Sequence, residues 1–140
     1  MARLLGRAMR RRCPRCGARG LFTGWWTMVE RCPQCGMRFE REEGFFLGAY
    51  VVNFGVTETL LVVLLMMYVL VQANRASGVP VLPVALAAVA AAVLMPLAFY
   101  PYSRTIWVAI ELMMRPLEAE EVSDADTHAL SRKTGGASPA

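Results

Sequence analysis

The chain has 140 residues, of which 56% are hydrophobic, and its formal net charge is +4. This length leaves room for about one domain, which excludes multidomain catalytic architectures, and the apolar content argues against a disordered protein. The charge is unevenly distributed: residues 1–43 carry a net +6, residues 44–103 carry zero and residues 117–140 carry −3. The pattern indicates a basic head, an apolar body and an acidic tail.

A basic N-terminal arm over residues 1–9 precedes a cysteine-rich head over residues 10–43. The head contains two copies of the motif Cys-Pro-x-Cys-Gly, with fifteen residues between the second cysteine of one and the first cysteine of the other. All the cysteines of the chain belong to these copies, and they are Cys13, Cys16, Cys32 and Cys35. Two CxxC pairs at this spacing are typical of a zinc site with four thiolate ligands. The predicted cofactor is therefore one structural Zn²⁺, which supplies folding free energy to a head too small to build a core.

Other uses of the same cysteines stay open at this point. Disulfides are disfavoured by the cytoplasmic placement inferred below, because that compartment is reducing. A dithiol redox centre is the main alternative, since arginines beside Cys13 and Cys16 can stabilise a thiolate. The sequence lacks the βαβ pattern that usually accompanies such a centre. Iron in place of zinc is not distinguished by the ligand set.

The remaining residues of the head suggest two kinds of surface. The arginine run at 10–12, with Arg15 and Arg19, is typical either of a zinc ribbon that binds nucleic acid or of a segment beside a membrane. We favour anionic lipid headgroups and consider nucleic acid the weaker alternative, because an apolar segment follows directly. Five apolar residues form either a small core over the metal or a docking face, and they are Leu21, Phe22, Trp25, Trp26 and Phe39.

The apolar body is long enough to cross a membrane twice. Residues 48–72 and 81–103 each exceed the roughly 20 residues that a spanning helix needs, and neither shows a polar face. Residues 73–80 are rich in turn formers and predict a tight connection. The predicted fold class is a membrane protein with a small N-terminal zinc ribbon followed by a two-helix transmembrane hairpin. Because the head holds ten arginines and the connection only Arg75, both termini are expected in the cytoplasm.

Two polar residues of the first span are candidate functional or packing residues. Glu58 is expected near mid-bilayer, where an ionised carboxylate is costly, so we predict a protonated side chain. Its hydrogen-bond acceptor would be the Ala92 carbonyl, which Pro96 leaves without a donor, or a group of a partner subunit. Asn53 is expected opposite Tyr100 and hydrogen-bonded to it.

The C-terminal part is predicted to lie at the membrane surface and in water. Residues 104–116 read either as an interfacial helix with a narrow charged stripe or as a continuation of the second span. Residues 117–140 read as a solvated, disordered acidic tail, in which His128 has no catalytic setting.

The order of these features resembles the bacterial membrane family catalogued as domain of unknown function 983. The resemblance covers about residues 10–117 and rests on the four cysteines, on Leu21-Phe22 after the first pair, and on Pro101, Arg104 and Trp107 after the second span. Residues 44–48, Gly-Phe-Phe-Leu-Gly, depart from the acidic residue and Gly-Pro pair of many members. The resemblance implies the inner (plasma) membrane, and the position of similar genes near those for respiratory oxidase assembly suggests a role in building membrane complexes.

Together these observations predict a non-enzymatic membrane protein that acts as an adaptor or assembly factor. No nucleophile, base and orienting group occur in a recognisable arrangement, which disfavours an enzyme. The expected partners are the bilayer with its anionic headgroups and either a membrane or cytoplasmic protein or a second copy of the chain. A membrane-tethered CxxC thiol oxidoreductase is the alternative, and a membrane-anchored nucleic-acid-binding ribbon is the third.

Overall fold

A computed structural model describes residues 2–74, 78 and 80–135 of the chain. Within these residues lie four helices, which are α1 (Ala2–Ala8), α2 (Leu47–Asn74), α3 (Val81–Met114) and α4 (Ala119–Gly135). Helices α2 and α3 are both long and apolar enough to cross a membrane, and they contain the two predicted spans. Half of the predicted turn over residues 73–80, including Arg75, lies outside the described residues.

Helices α2 and α3 pack as an antiparallel pair. Gly48 lies against the Trp107 ring, and the side-chain amide of Asn53 donates a 3.0 Å hydrogen bond to the Pro96 carbonyl. The predicted bond from Asn53 to Tyr100 is therefore wrong by one helical turn. That prediction assumed a symmetric turn, whereas the register is set by the Gly48 contact and by where the Asn53 amide finds a carbonyl.

Glu58 does not face the second helix. Asn53 and Thr57 are buried and mark the inner face of α2, whereas the next residue round the helix, Glu58, is exposed. A step of one residue turns the side chain by about 100°, which carries it away from Ala92. The predicted hydrogen bond to the Ala92 carbonyl is absent, and contact with a partner subunit stays a prediction.

Helix α3 continues without interruption through the region predicted as an interfacial helix. It runs to Met114 with Pro96 and Pro101 inside it, so residues 104–114 continue the same helix. All of its buried residues lie between 101 and 111. Because Pro101 has no N–H, the Leu97 carbonyl lacks its usual helical donor, and the Trp25 indole N–H lies 3.4 Å from it.

The cysteine-rich head, residues 10–43, folds with little regular secondary structure. Its β-pairing is limited to two isolated bridges in the described chain, Phe22 with Met28 and Arg31 with Arg38. Leu21 and Phe39 are fully buried and form a small core, while the tryptophans of the head stay about half exposed and reach α3. The apolar residues of the head therefore serve both roles that the sequence left open.

The head is fixed to the end of α3 by polar contacts. The Thr105 hydroxyl donates a 2.9 Å hydrogen bond to the Ala8 carbonyl at the end of α1. The Arg104 guanidinium lies 3.9 Å from the centre of the Phe46 ring and donates to the Trp26 carbonyl. Arginine over an aromatic face is a stabilising contact when it is shielded from water. Two residues of the charged stripe predicted for this helix thus contact the head, Arg104 at the Trp26 carbonyl and Arg115 at the Glu42 carboxylate.

The acidic tail forms a helix, which corrects the predicted disorder. Helix α4 covers residues 119–135, and residues 136–140 lie outside the described residues. Its first turn contains Glu120 and Glu121 and its last turn Arg132 and Lys133, an arrangement that complements the helix dipole. The Glu121 carboxylate also accepts from the Glu118 backbone N–H, the returning half of a capping box. These local signals are not visible in the amino-acid composition of the tail.

Two glycines of α2 provide a test of the register between α2 and α3. A Cβ at Gly48 would overlap the Trp107 ring, whereas a Cβ at Gly55 would meet nothing within 4 Å. Gly48→Ala should lower the stability of the purified protein by about 1–3 kcal/mol through overpacking. Gly55→Ala, the matched control, should be neutral or stabilising by up to about 1 kcal/mol, since alanine favours a helix. Equal unfolding of both variants in a detergent-based thermal assay would contradict the register.

Candidate metal centre

The four cysteines of the head meet at one point. Their sulfur atoms all lie within 4.8 Å of one another. The separations include 3.9 Å between Cys13 and Cys35 and 3.6 Å between Cys16 and Cys32. Four thiolates at about 2.3 Å from one ion form a tetrahedron with edges of roughly 3.8 Å. The spacing of the sulfurs therefore fits a single metal ion, and all four cysteines are free.

Each pair of cysteines lies on a knuckle with the same backbone hydrogen bonds. In the first knuckle, residues 13–18, the Cys13 carbonyl accepts from Gly17 and the Cys13 N–H donates to Ala18. In the second knuckle, residues 32–37, the same two bonds join Cys32 to Gly36 and to Met37. Both glycines have positive φ, +83° and +68°, which a side chain would disfavour. The repeated motif thus produces two equivalent turns.

Arginines hold the backbone carbonyls of both knuckles. Arg7 of α1 donates to the carbonyls of Pro14 at 3.2 Å and Arg15 at 2.8 Å. Arg15 in turn lies 3.4 Å from the Cys35 carbonyl, and Arg31 lies 3.4 Å from the Gly36 carbonyl. These contacts fix the turns that carry the sulfurs, the supporting role that outer residues have around metal ligands.

Hydrogen bonds among the sulfurs of Cys13, Cys32 and Cys35 couple the pKa values of these residues. Hydrogen bonds from the Cys13 and Cys35 thiols lower the pKa of Cys32 to about 2. The hydrogen bond with Cys32 raises the pKa of Cys13 above its usual range, and burial adds to this rise. Four thiolates this close cannot all be ionised without a positive charge among them. A bound metal ion would take the place of these protons, so its affinity falls in acid.

Helix α4 packs directly on the second knuckle. Ala125 is 1% exposed, and its carbonyl lies so close to Gly36 that a Cβ at Gly36 would overlap it. The equivalent position of the first knuckle, Gly17, faces only the flexible side chain of Arg7. The glycine of the second motif is therefore required twice, for its positive φ and for the approach of α4.

Ion pairs between the basic head and the acidic tail accompany this packing. Arg41 binds Glu121 with two 2.6 Å hydrogen bonds and also donates to the Arg115 carbonyl. Two more exposed pairs join Arg31 to Asp124 at 2.7 Å and Arg15 to Asp126 at 3.4 Å, and each adds little stability. The bidentate Arg41–Glu121 pair, whose arginine is 11% exposed, is the strongest of the three.

The sequence identified the sulfur ligands but missed the elements that support them. Cys13, Cys16, Cys32 and Cys35 come together as predicted, whereas Glu58 and Asn53 lie in α2, apart from this centre. Nothing in the cysteine spacing indicated that α4 covers the second knuckle. The available signals were the opposite charges of head and tail and the capping pattern of α4.

Alanine at the two knuckle glycines should separate metal binding from α4 docking. Both Gly36→Ala and Gly17→Ala place a side chain at positive φ, but only the first forces α4 away. Gly36→Ala should increase the rate of proteolysis of α4 about tenfold or more, the result of overpacking against a backbone atom. Gly17→Ala should leave α4 protected. Metal content of both variants is measured in parallel, and equal protection of α4 in both would refute the contact.

Acid should release α4 through Glu121. The Arg41 hydrogen bonds lower the pKa of Glu121, so this carboxylate stabilises docking above its free pKa of about 4.3. That stabilisation is lost as the pH falls through the lower pKa of the docked state. Amide exchange across pH should show α4 loosening below about pH 4, whereas Glu121→Gln should be loose already at neutral pH.

The exposed pair supplies the control for this pH test. Asp126→Asn removes a carboxylate that is 61% exposed and 3.4 Å from Arg15, and it should keep nearly the wild-type profile. Metal content is followed in the same samples, because acid also protonates thiolates. A Glu121→Gln profile identical to wild type while the metal is retained would exclude this role for Glu121.

Comparison with known proteins assigns α2, nearly all of α3 and the second knuckle to one family. No curated protein and no solved structure matches the chain. The family described as "Protein of unknown function (DUF983)" matches residues 22–112, which is more than half of the chain. The match includes Cys32, Cys35, α2 and nearly all of α3, and it leaves out the first knuckle, α1 and α4. The chain therefore belongs to the DUF983 family.

Proposed function

We propose that this protein is a two-pass protein of the bacterial inner membrane whose head is a structural zinc ribbon on the cytoplasmic side. Its activity is that of a non-enzymatic adaptor or assembly factor for a membrane complex. The observation that carries the proposal is the set of four convergent sulfurs in a chain that also contains an apolar helix pair long enough to cross a membrane. Four protein thiolates complete a tetrahedral zinc site and leave no position for a substrate.

Exposure of the apolar helices supports the membrane placement. Large hydrophobic side chains of α2 and α3 point outward, among them Leu65 at 63% and Leu86 at 62% exposure. Continuous apolar surface of this kind requires a lipid or protein environment. The arginine-rich head favours the cytoplasmic side for both termini.

An adaptor requires a head whose surface is held at a constant position. Trp25 and Trp26 of the head contact α3, and Arg104 of α3 donates to the Trp26 carbonyl. These contacts fix the head to α3. The second knuckle still presents Pro33 and Gln34 to solvent, beside the face that α4 covers. A protein partner would meet this knuckle without disturbing the sulfur ligands.

A thiol oxidoreductase is the alternative function that the sulfur cluster supports. The lowered pKa of Cys32 supplies a thiolate, the reactive form of the residue. Against this reading, Cys13 lies 3.9 Å from Cys35 on the other knuckle, and all four sulfurs converge as ligands of one ion do. Thiol trapping in cells separates the two functions, because a metal site stays protected and a redox pair cycles.

Metal analysis and site-specific crosslinking test the proposal. The purified full chain should contain about one zinc per molecule, and Cys16→Ser should lose it. A photocrosslinker at Gln34 in intact membranes should give discrete protein adducts that disappear in Cys16→Ser. The same crosslinker at Leu65, on the outward face of α2, is the positional control and should give lipid adducts. Iron or no metal, or alternating oxidation of the cysteines, would contradict the zinc adaptor.

A further inference from the structure

One face of the N-terminal helix collects arginines around a cavity. Arg3, Arg7 and Arg10 recur at intervals of four and three residues, which places them on the same side of α1 and its end. With Gly6 and Arg12 they line a cavity of about 350 Å³, and none of its lining residues is acidic. We name this feature the α1 cavity.

An unusual helix end brings Arg12 into the α1 cavity. Arg12 N–H donates to the Arg7 carbonyl at 3.0 Å and Arg11 N–H donates to the Ala8 carbonyl at 2.9 Å. This pair of bonds is a Schellman motif, in which the residue at the position of Arg11 is usually glycine. Arg11 has φ of +54° and is the one residue other than glycine with positive φ in the described chain.

The left-handed conformation of Arg11 is held by aromatic contacts. This conformation is sterically disfavoured for a residue with a Cβ atom. The Arg11 guanidinium lies 4.5 Å from the centre of the Phe22 ring and 5.2 Å from that of Trp25. Cation–π contacts shielded from water offset this steric cost. The turn that carries Arg12 over α1 is thus fixed by the fold.

The guanidinium groups of the α1 cavity lack acidic partners. Other arginines of the head, Arg15, Arg31 and Arg41, form ion pairs with α4. In the described part of the chain, no carboxylate lies within ion-pair distance of the four cavity arginines. The bonds of Arg7 to two backbone carbonyls orient its guanidinium and leave its charge uncompensated. Four like charges around one cavity therefore favour an anion within it.

The α1 cavity lies beside the end of the second apolar segment. The Ala8 carbonyl accepts from Thr105, and the Arg11 guanidinium lies 5.8 Å from the centre of the Tyr102 ring. Tyr102 and Thr105 stand at the point where the uncharged stretch of α3 ends at Arg104. In a bilayer this point is the level of the headgroup phosphates.

We infer that the α1 cavity binds the phosphate group of an anionic phospholipid in the adjacent leaflet. Guanidinium groups match the geometry of phosphate oxygens and bind them with two parallel hydrogen bonds each. Gly6 leaves open space at the wall of the cavity, since a Cβ there would meet nothing within 4 Å. The inference rests on the proposed membrane placement of the head and adds a specific ligand to it.

Lipid binding by the full metal-loaded chain in neutral detergent tests the site. Native mass spectrometry is used to titrate phosphatidic acid, with diacylglycerol of the same chains as the lipid that lacks the phosphate. Wild type should bind the first and not the second. Arg3→Gln/Arg10→Gln/Arg12→Gln should bind phosphatidic acid at least about tenfold more weakly, a loss smaller than three charge-assisted hydrogen bonds would give. Arg7 is kept, because it holds the first knuckle.

A matched triple variant distinguishes a site from general charge. Arg19→Gln/Arg132→Gln/Lys133→Gln removes the same charge from exposed positions and should bind within about twofold of wild type. Equal losses in both triple variants would overturn the inference. Competition by inorganic phosphate would assign the cavity to a free anion, and competition by a single-stranded oligonucleotide would assign it to nucleic acid; either result overturns the lipid source.

Two further measurements guard against misfolding and separate this inference from the adaptor function. Arg10→Gln alone changes an exposed side chain and should give an intermediate loss of lipid binding with unchanged zinc content and helix content. Arg12→Lys keeps the charge and removes the planar fork, so it should bind more weakly than wild type. Protein adducts at Gln34 do not depend on these arginines, so partner binding and lipid binding can fail independently.

Discussion

The fold of the whole head depends on four cysteine sulfurs that lie within 4.8 Å of one another. Their negative charges can be accommodated together only around a cation. The backbone of the head forms few other contacts that would hold the head folded. The head has two isolated β-bridges and a small core of residues such as Leu21 and Phe39. These contacts offset little of the conformational entropy that is lost when more than thirty residues become ordered. The knuckles, the arginines on their carbonyls and the helix packed on Gly36 all presuppose that the sulfurs stay together.

The arginines of the head divide by what each guanidinium meets. Arg41 and its neighbours bind the acidic helix α4, so much of the opposite charge of head and tail is compensated within the molecule. Arg11 and Arg104 lie over aromatic rings at the junction with α3. The cavity arginines have no carboxylate within ion-pair distance in the part of the chain that the structure describes. A net charge calculated over the chain conceals this division, because it treats paired and unpaired cations alike.

Sequence patterns predicted the elements whose signal is local and repeated. The cysteine spacing identified the sulfur cluster, and the apolar stretches identified α2 and α3, since each pattern reflects one dominant force. The contact of Asn53 with Pro96 was not predictable, because helix register depends on fine packing such as Gly48 against Trp107. The left-handed turn at Arg11 was hidden for another reason, since glycine is the usual marker of such a turn.

The prediction of a disordered acidic tail was wrong for a different reason. Its composition resembles that of disordered segments, and its helix is stabilised by distant residues such as Arg41 and Gly36. The capping bond at Glu121 was the local sign, and it alone gives a marginal helix in water. Tertiary contacts that join residues eighty positions apart are outside the reach of a pattern read along the chain.

The continuity of α3 gives the molecule the mechanics of a lever. Between Val81, at the far end of the apolar pair, and Thr105, which contacts the end of α1, it spans roughly 36 Å as one helix. No loop lies between the two halves to absorb a rotation, and the contacts at Thr105 and Arg104 tie the head to the lever arm. A tilt of the apolar end by about 4° would therefore move Thr105, and the head with it, by about 2–3 Å.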